Sequence, residues 1–482
     1  MRKKRKITIY HYEEKNNTLK KGIIWGTSIV VAIALIIGIF VIVQKTGIIP
    51  TGGSATGTQM EQENETQKTQ RLEEERTALL AQADRLSASY DYDSAIALIQ
   101  SFEGYETYTD MTEKITEYET TKASCVPVNI SEVTHIFYHS LVVDPVRCFG
   151  NQEKDRQCIG NNQWMTTISE FNKITQEMYD RGYVMVSIHD LYNIKTDENG
   201  NQTFEPATIM LPEGKKAFVL SLDDLSYYHS YDNYGYAAKL IIDENGDVVN
   251  EYIDANGNTL IGAYDVVPLM DQFIEEHPDA SYKGAKGIIA LTGYNGILGY
   301  RTDISYTQLD SDLDDAKRKW LKNHPEFDLE TERAEAKKVV EAMKENGWEF
   351  ASHTWGHLSV GNITLERLQA DTTRWKENVE PLVGQTNTII FAHGQDLGNW
   401  GNYDENNAKV QYLKEQGFSV FCNVDSNQYR TWFGTDYMRQ GRRNLDGYRI
   451  YYNAIGTQNN VSDLFDANQI LDPERPPVYP LT

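Results

Sequence analysis

The chain has 482 residues, a formal net charge of −24 and 46 Lys+Arg against 70 Asp+Glu. That length exceeds one average domain, and so acidic a balance excludes nucleic acid as the main partner, because phosphate recognition needs basic surface. Four cysteines, Cys125, Cys148, Cys158 and Cys422, are too few for a disulfide scaffold and include no Cys-x-x-Cys pair for structural zinc.

Residues 1–21 are a basic tail carrying Arg2, Lys3, Lys4, Arg5, Lys6, Lys15, Lys20 and Lys21. Residues 22–43 bear no charge and are mostly Ile, Val, Ala and Leu. At about 1.5 Å per residue, a helix there spans the roughly 30 Å hydrocarbon core of a bilayer. Only Lys45 follows closely on the other flank, so the positive-inside rule keeps the N-terminus cytoplasmic and places the rest outside a single-pass cell membrane anchor. The alternative is a cleaved signal peptide, but the run is long for a signal core and no clear Ala-x-Ala site follows. Residues 1–50 hold nine basic and two acidic residues, so the exterior part is more acidic still. Such a surface suits a neutral or cationic polymer, and equally serves solubility.

Residues 44–78 read as a linker that enters a helix, starting Thr51-Gly52-Gly53-Ser54 and continuing into a Glu/Gln-rich run. From 79 to 124 apolar residues return at helical spacing, with Tyr90-Asp91-Tyr92-Asp93 at a turn, which predicts one tetratricopeptide-like helical hairpin. It is either a stalk that lifts the next domain off the membrane or a module for a protein partner. Cys148 and Cys158 bracket a polar loop and could bridge in an oxidising exterior.

From 125 to 455 strand-like and helical patterns alternate. Strands are predicted at 133–138, 183–188, 217–220, 287–291, 348–351, 388–392 and 418–421, and helices at 168–181, 330–345, 365–379 and 405–416. Repeated units of this kind favour a parallel sheet with helices outside, here a distorted α/β barrel. Asn-Gly turns at 199–200, 245–246 and 256–257 mark hairpin excursions, the last two inside a long insertion, 230–264. Asp243 to Asp247 would be an incomplete calcium loop or a surface turn. Residues 456–482 read as a C-terminal tail.

Two distant stretches carry the chemistry. Asp223 and Asp224 close one strand run, and His353 and His357 follow another, four residues apart. Parallel sheets collect functional groups at the C-terminal ends of their strands. Two carboxylates with two imidazoles are the raw material of a catalytic metal site, and on a helical turn positions i and i+4 share a face. His229 is an alternative ligand, and the acidic run 310–315 reads as a helix start.

These residues resemble a family. Ile136-Phe137-Tyr138-His139-Ser140, Asp223-Asp224 and Ser352-His353-x-x-x-His357 are similar to the opening, first and second motifs of the polysaccharide deacetylases, the NodB-homology group or carbohydrate esterase family four. The resemblance covers about 133–452 and implies a distorted (β/α) barrel. It also implies a hydrolase that removes N-acetyl groups from an amino-sugar polymer, plausibly cell-wall peptidoglycan. By the same resemblance, Asp223 is the catalytic base, and Asp224, His353 and His357 hold a divalent metal, most simply zinc. The family's glycine after the Asp pair is Leu225 here, its third motif is replaced by Phe391-Ala392-His393-Gly394, and no late histidine follows His393. His393 is therefore a candidate proton or oxyanion donor. Arg442 and Arg443 lie where an arginine could keep Asp223 ionised or only brace a loop. Trp355 and Tyr227, with Tyr228, Trp400 and Trp432, could stack on sugar or fill core. A carbohydrate-binding protein that has lost the chemistry, and an O-acetyl esterase, remain the other readings.

Overall fold

The computed structural model describes residues 65–307, 313–424 and 430–481. The predicted tail 1–21 and membrane segment 22–43 lie outside them, and among the described residues no helix is long and apolar enough to cross a membrane.

Seven parallel strands close into a barrel: β1 (Thr134–Tyr138), β2 (Lys216–Asp223), β3 (Ile288–Leu291), β4 (Glu349–Ser352), β5 (Thr388–Ile390), β6 (Val420–Val424) and β7 (Met438–Asn444). Each pairs with the next in chain order, and β7 returns to β1. Strands buried on both faces read as continuous apolar runs. That is how Ala217-Phe218-Val219-Leu220 and Ile288-Ile289-Ala290-Leu291 stand in the sequence. The barrel is distorted at β4 and β5, which meet in register only at Ser352 and Ile389. Short outer strands flank the ring, Tyr183–Met185 against β2 and Thr431–Phe433 against β7.

Helices cover the outside, and several start where the sequence offers a cap. Thr167 and Glu170 form a reciprocal capping box for Ile168–Asp180, and Phe171, Ile174 and Met178 form its buried face. Asp328 caps Leu329–Glu345 and Thr364 caps Leu365–Asn378. In the acidic run, Asp314 caps Asp315–Asn323.

The stalk reading needs correction. Helices Glu65–Ala88, Tyr92–Gln100 and Thr109–Ser124 replace the single expected hairpin. All three share an apolar cluster with Val184 of the outer strand and Val219, Ala290 and Val420 of the barrel, through Ala83, Ile99 and Tyr118 among others. Tyr90 donates its hydroxyl to the Asp279 carbonyl at 2.8 Å and stacks on Tyr282, in the segment that leads into β3. The helices thus dock on the N-terminal end of the barrel, because their apolar faces find no core of their own.

The tail reading also changes. Val461, Leu464, Phe465 and Ile470 belong to the main core, and Arg475 is buried against Glu170. Cys148 and Cys158 are both buried and free, and Cys148 donates its thiol hydrogen to Tyr236 Oη at 3.2 Å. The insertion is a three-stranded antiparallel sheet, Ala237–Ile242, Val248–Ile253 and Thr259–Gly262. Asp243 caps its own turn there, accepting the backbone N–H groups of Asn245 and Asp247 at 2.9 Å.

After this sheet Asp265 opens helix Val266–Glu276 and accepts the Leu141 and Val266 backbone N–H groups at 2.9 and 2.8 Å. Burial dominates these bonds and pushes its carboxyl up to about 6. A raised folded value means that the unfolded chain gives up this proton first as pH rises. The stabilising effect of the protonated form, full below about 4, is therefore lost on passing through about 6. Asp265→Asn should flatten the fall of the thermal midpoint between pH 4 and 6; an unchanged slope would contradict this assignment.

Candidate metal centre

The C-terminal mouth of the barrel gathers Asp223 and Asp224 from the end of β2, His353 and His357 from the segment after β4, and His393 after β5. One donor atom from each of Asp224, His353 and His357 lies within 4.8 Å of the others. His357 Nε2 is 3.4 Å from Asp224 Oδ2, and His353 Nε2 is 4.0 Å from Asp224 Oδ1. Two donors about 2.1 Å from one tetrahedral ion lie about 3.4 Å apart. Two imidazoles and one carboxylate therefore fit a divalent ion and leave a further position open.

The local backbone shows how the sequence builds this. His353 reaches across the β4–β5 gap, and its Nδ1–H donates to the Ile390 carbonyl at 2.7 Å, so Nε2 is left as an acceptor toward the ion. Burial lowers the His353 pKa to about 4, against the opposing pull of Asp223 and Asp224. The ring is thus neutral near pH 7, as a ligand must be. The stretch 353–357 is not the expected helical turn. Thr354 and His357 have φ of 63° and 53°. The loop is held by Asp371, whose carboxylate accepts the Trp355 and Gly356 backbone N–H groups at 2.8 and 2.9 Å. Asp224 and His393 also take positive φ, 60° and 56°. With Leu225 in place of glycine, Asp224 itself adopts the left-handed conformation, and Leu225 packs into the core. Such conformations cost about 1–2 kcal/mol each and gather at functional sites.

Asp224 Oδ1 accepts the Tyr228 hydroxyl at 2.6 Å, and that hydroxyl lies 2.5 Å from the Thr292 hydroxyl. Arg442 makes a two-pronged ion pair with Asp223, Nη1 to Oδ1 at 2.7 Å and Nη2 to Oδ2 at 2.9 Å. Burial alone would raise Asp223, but Arg442 and then His353 outweigh it and hold the carboxyl well below the usual range. Asp224 is likewise lowered, with His357 and His353 overcoming its burial. Below Arg442 a buried chain runs into the barrel. Its Nη1 also donates to Ser221 Oγ, which faces His135 Nε2 at 2.8 Å, and His135 Nδ1 faces Gln440 Oε1 at 3.0 Å.

His393 sits beside His357, ring centroids 4.2 Å apart, with its Nε2 3.2 Å from the His357 carbonyl. Other candidates lie elsewhere. Arg443 pairs with Asp463 and the Asn460 carbonyl, bracing the C-terminal segment. Trp355 is buried, donates to Asp303 at 2.7 Å and lies under Arg374. Tyr227 is core, its hydroxyl accepting from Asn250 at 3.0 Å. His229 is bound to Tyr306 and Asp232. Trp400 lies between Arg430 and Arg439, and Trp432 donates to Asn402.

Sequence reasoning assigned no role to Asp371, or to Tyr228 as a partner of Asp224.

Residues 318–420 match the family model described as polysaccharide deacetylase. That stretch is similar to a polysaccharide deacetylase domain. The matched stretch contains His353, His357 and His393, and Asp223-Asp224 precedes it. The match supports a hydrolase acting on carbon–nitrogen bonds, from a family that is generally metal-dependent. Among solved structures the chain is similar to the Streptococcus pyogenes deacetylase PplD in complex with acetate, at 13% identity and a TM-score of 0.34, covering 67% of this chain and 94% of that one. It is also similar to a polysaccharide deacetylase from Bacillus cereus, at 11% identity and a TM-score of 0.34, covering 71% and 70%. No curated protein sequence matches.

Proposed function

We propose that the chain is a zinc-dependent deacetylase that removes N-acetyl groups from an amino-sugar polymer such as peptidoglycan, outside a cell membrane in which residues 22–43 anchor it. The observation that carries this reading is the convergence of Asp224, His353 and His357 donor atoms within 4.8 Å, beside an ionised Asp223. The uncharged run and its basic flank support the anchor.

Asp224, His353 and His357 would hold the ion, which when bound polarises the acetyl carbonyl and lowers the pKa of a water. Asp223 accepts the proton of the attacking water. Each of its oxygens takes one N–H from Arg442 and keeps a second lone pair for that task. Arg442 fixes the carboxylate's orientation and keeps it charged across the working pH range. Tyr228 holds one oxygen of Asp224, so that the other faces His357. Asp371 holds the loop that aims His357.

The test is acetate release from N-acetylated chito-oligomers by the full chain, with and without chelator. Chelation should abolish release and added zinc restore it. Turnover of O-acetyl esters alone would favour the esterase, and metal-free protein with no turnover would favour the binding protein, to which the altered third motif at Phe391-Ala392-His393-Gly394 also points.

A further inference from the structure

One histidine buried inside the barrel takes no part in the chemistry above. We propose that His135 is a positioning residue: through Ser221 it sets the hydrogen-bond direction that aims Arg442 at Asp223, an inference that rests on the deacetylase reading above.

The strands bring four polar groups together in the barrel interior. His135 of β1 is the register partner of Arg442 on β7, and Gln440 lies two residues earlier on β7, on the same face. Ser221 of β2 pairs with Phe137, two residues past His135. His135, Ser221, Gln440 and Arg442 are each 1% exposed or less, so their hydrogen bonds must be met from within the protein.

The direction of every bond follows from one fixed acceptor. The Val133 carbonyl can only accept, and Gln440 Nε2 donates to it at 3.3 Å and to the Thr431 hydroxyl at the same distance. The amide is therefore turned with Oε1 toward the ring. Because Oε1 can only accept, Nδ1 of His135 carries the hydrogen in their 3.0 Å contact. Burial, and then the charge of Arg442, hold the His135 pKa well below its ordinary value, so the ring is neutral and Nε2 is bare. Across 2.8 Å that nitrogen takes the Ser221 hydroxyl hydrogen. The lone pairs of Ser221 Oγ are then left for Arg442 Nη1, which donates to Oγ at 3.1 Å and to Asp223 Oδ1 at 2.7 Å.

Arg442 has little else to steer it. Its Nε meets no hydrogen-bond partner among the described residues, and its Cζ lies 4.1 Å from the centre of the Phe137 ring. A ring face lets the guanidinium turn in its own plane, whereas the bond to Ser221 does not. Without an acceptor at His135 the serine hydroxyl is a free rotor, and its hydrogen is no longer held away from Arg442. The relay thus fixes the rotation of the guanidinium, and with it the plane of the Asp223 carboxylate that meets the attacking water.

A misplacement of about 1 Å at a reacting group can cost about 10²-fold in rate. The experiment measures kcat and KM for acetate release from N-acetylated chito-oligomers by the full chain and by Ser221→Ala, His135→Leu and His135→Gln, each alone and combined with Asp223→Asn. Metal content and thermal midpoint are measured alongside. Ser221→Ala and His135→Leu should lower kcat by about 10–10²-fold, with KM and metal content unchanged. His135→Gln, whose amide offers an acceptor to Ser221 and a donor to Gln440, should recover most of that loss. With Asp223→Asn already in place, the same substitutions should cost less than about 2-fold, because they act only through that carboxylate. Ser221→Ala removes a single oxygen, so it decides the matter even where His135→Leu does not fold. Equal costs in both backgrounds, unchanged kcat in Ser221→Ala, or no recovery by glutamine would overturn the assignment. An unsubstituted chain that binds metal yet releases no acetate would instead sink the deacetylase reading, and this assignment with it.

Discussion

His353→Ala strips the divalent ion from the chain and reduces acetate release to background, whereas Asp223→Asn keeps the ion and loses about 10²–10⁴-fold in kcat. The two residues are neighbours, His353 Nε2 being 3.9 Å from Asp223 Oδ2, yet they differ in what they face. His353 has its other nitrogen fixed by the Ile390 carbonyl and presents a neutral acceptor toward Asp224. Asp223 is turned to Arg442. An asparagine there still accepts one of the two guanidinium bonds, so the loop and the ligand donors stay in place, but it cannot take up a proton. Metal stoichiometry by mass spectrometry beside kcat separates the two. Equal metal loss in both variants would overturn this division of labour.

Arg475→Ala destabilises the chain by about 3–5 kcal/mol, the cost of leaving one half of a buried ion pair alone. Arg475 and Glu170 are fully enclosed, with Nε and Nη2 donating to the two carboxylate oxygens at 2.7 and 2.6 Å. The remaining donors go to the Asn162 and Met165 backbone carbonyls at 2.8 Å each and to Asn162 Oδ1 at 2.9 Å. Glu170 also caps helix Ile168–Asp180, accepting the Thr167 N–H. Truncating Arg475 therefore strands a buried carboxylate and releases the C-terminal segment together. Urea titration reads the change, and a destabilisation below about 1 kcal/mol would mean that the segment does not lock the fold. The double variant Glu170→Leu with Arg475→Met should recover much of the loss, because it leaves no charge unpaired.

What the sequence revealed and what it hid divide along physical lines. Strands buried on both faces announce themselves as apolar runs, and each predicted barrel strand before β7 was found within a few residues of its place. Thr134–Tyr138, Ile288–Leu291 and Glu349–Ser352 are examples. The outer helices were legible for a similar reason, since Phe171, Ile174 and Met178 recur at helical spacing behind a Thr-x-x-Glu box. Asp223, Asp224, His353 and His357 could be picked out because residues of that chemistry follow strand runs.

Non-local partners were beyond reach. Nothing in residues 353–357 says that Asp371 will bind two of their amides and pull them out of a helical turn. Nor does the stretch Arg439 to Asn444 say which arginine turns inward; alternation along β7 sends Arg442 to Asp223 and Arg443 to Asp463. The segment 456–482 reads as a tail because its few apolar residues are scattered among polar ones, although Leu464 and Phe465 are fully buried. The helices before the barrel carry apolar faces, but only the structure says that the cover for those faces is the barrel's own floor.

The claim beneath all of this is that Asp224, His353 and His357 close on one ion. Anomalous diffraction from crystals of the zinc-loaded chain, recorded at the zinc edge, tests it most directly. The account predicts one strong peak about 2.0–2.2 Å from an Asp224 carboxylate oxygen and from both Nε2 atoms. A peak at any other cluster, or none at the barrel mouth of a protein that still releases acetate, would contradict it.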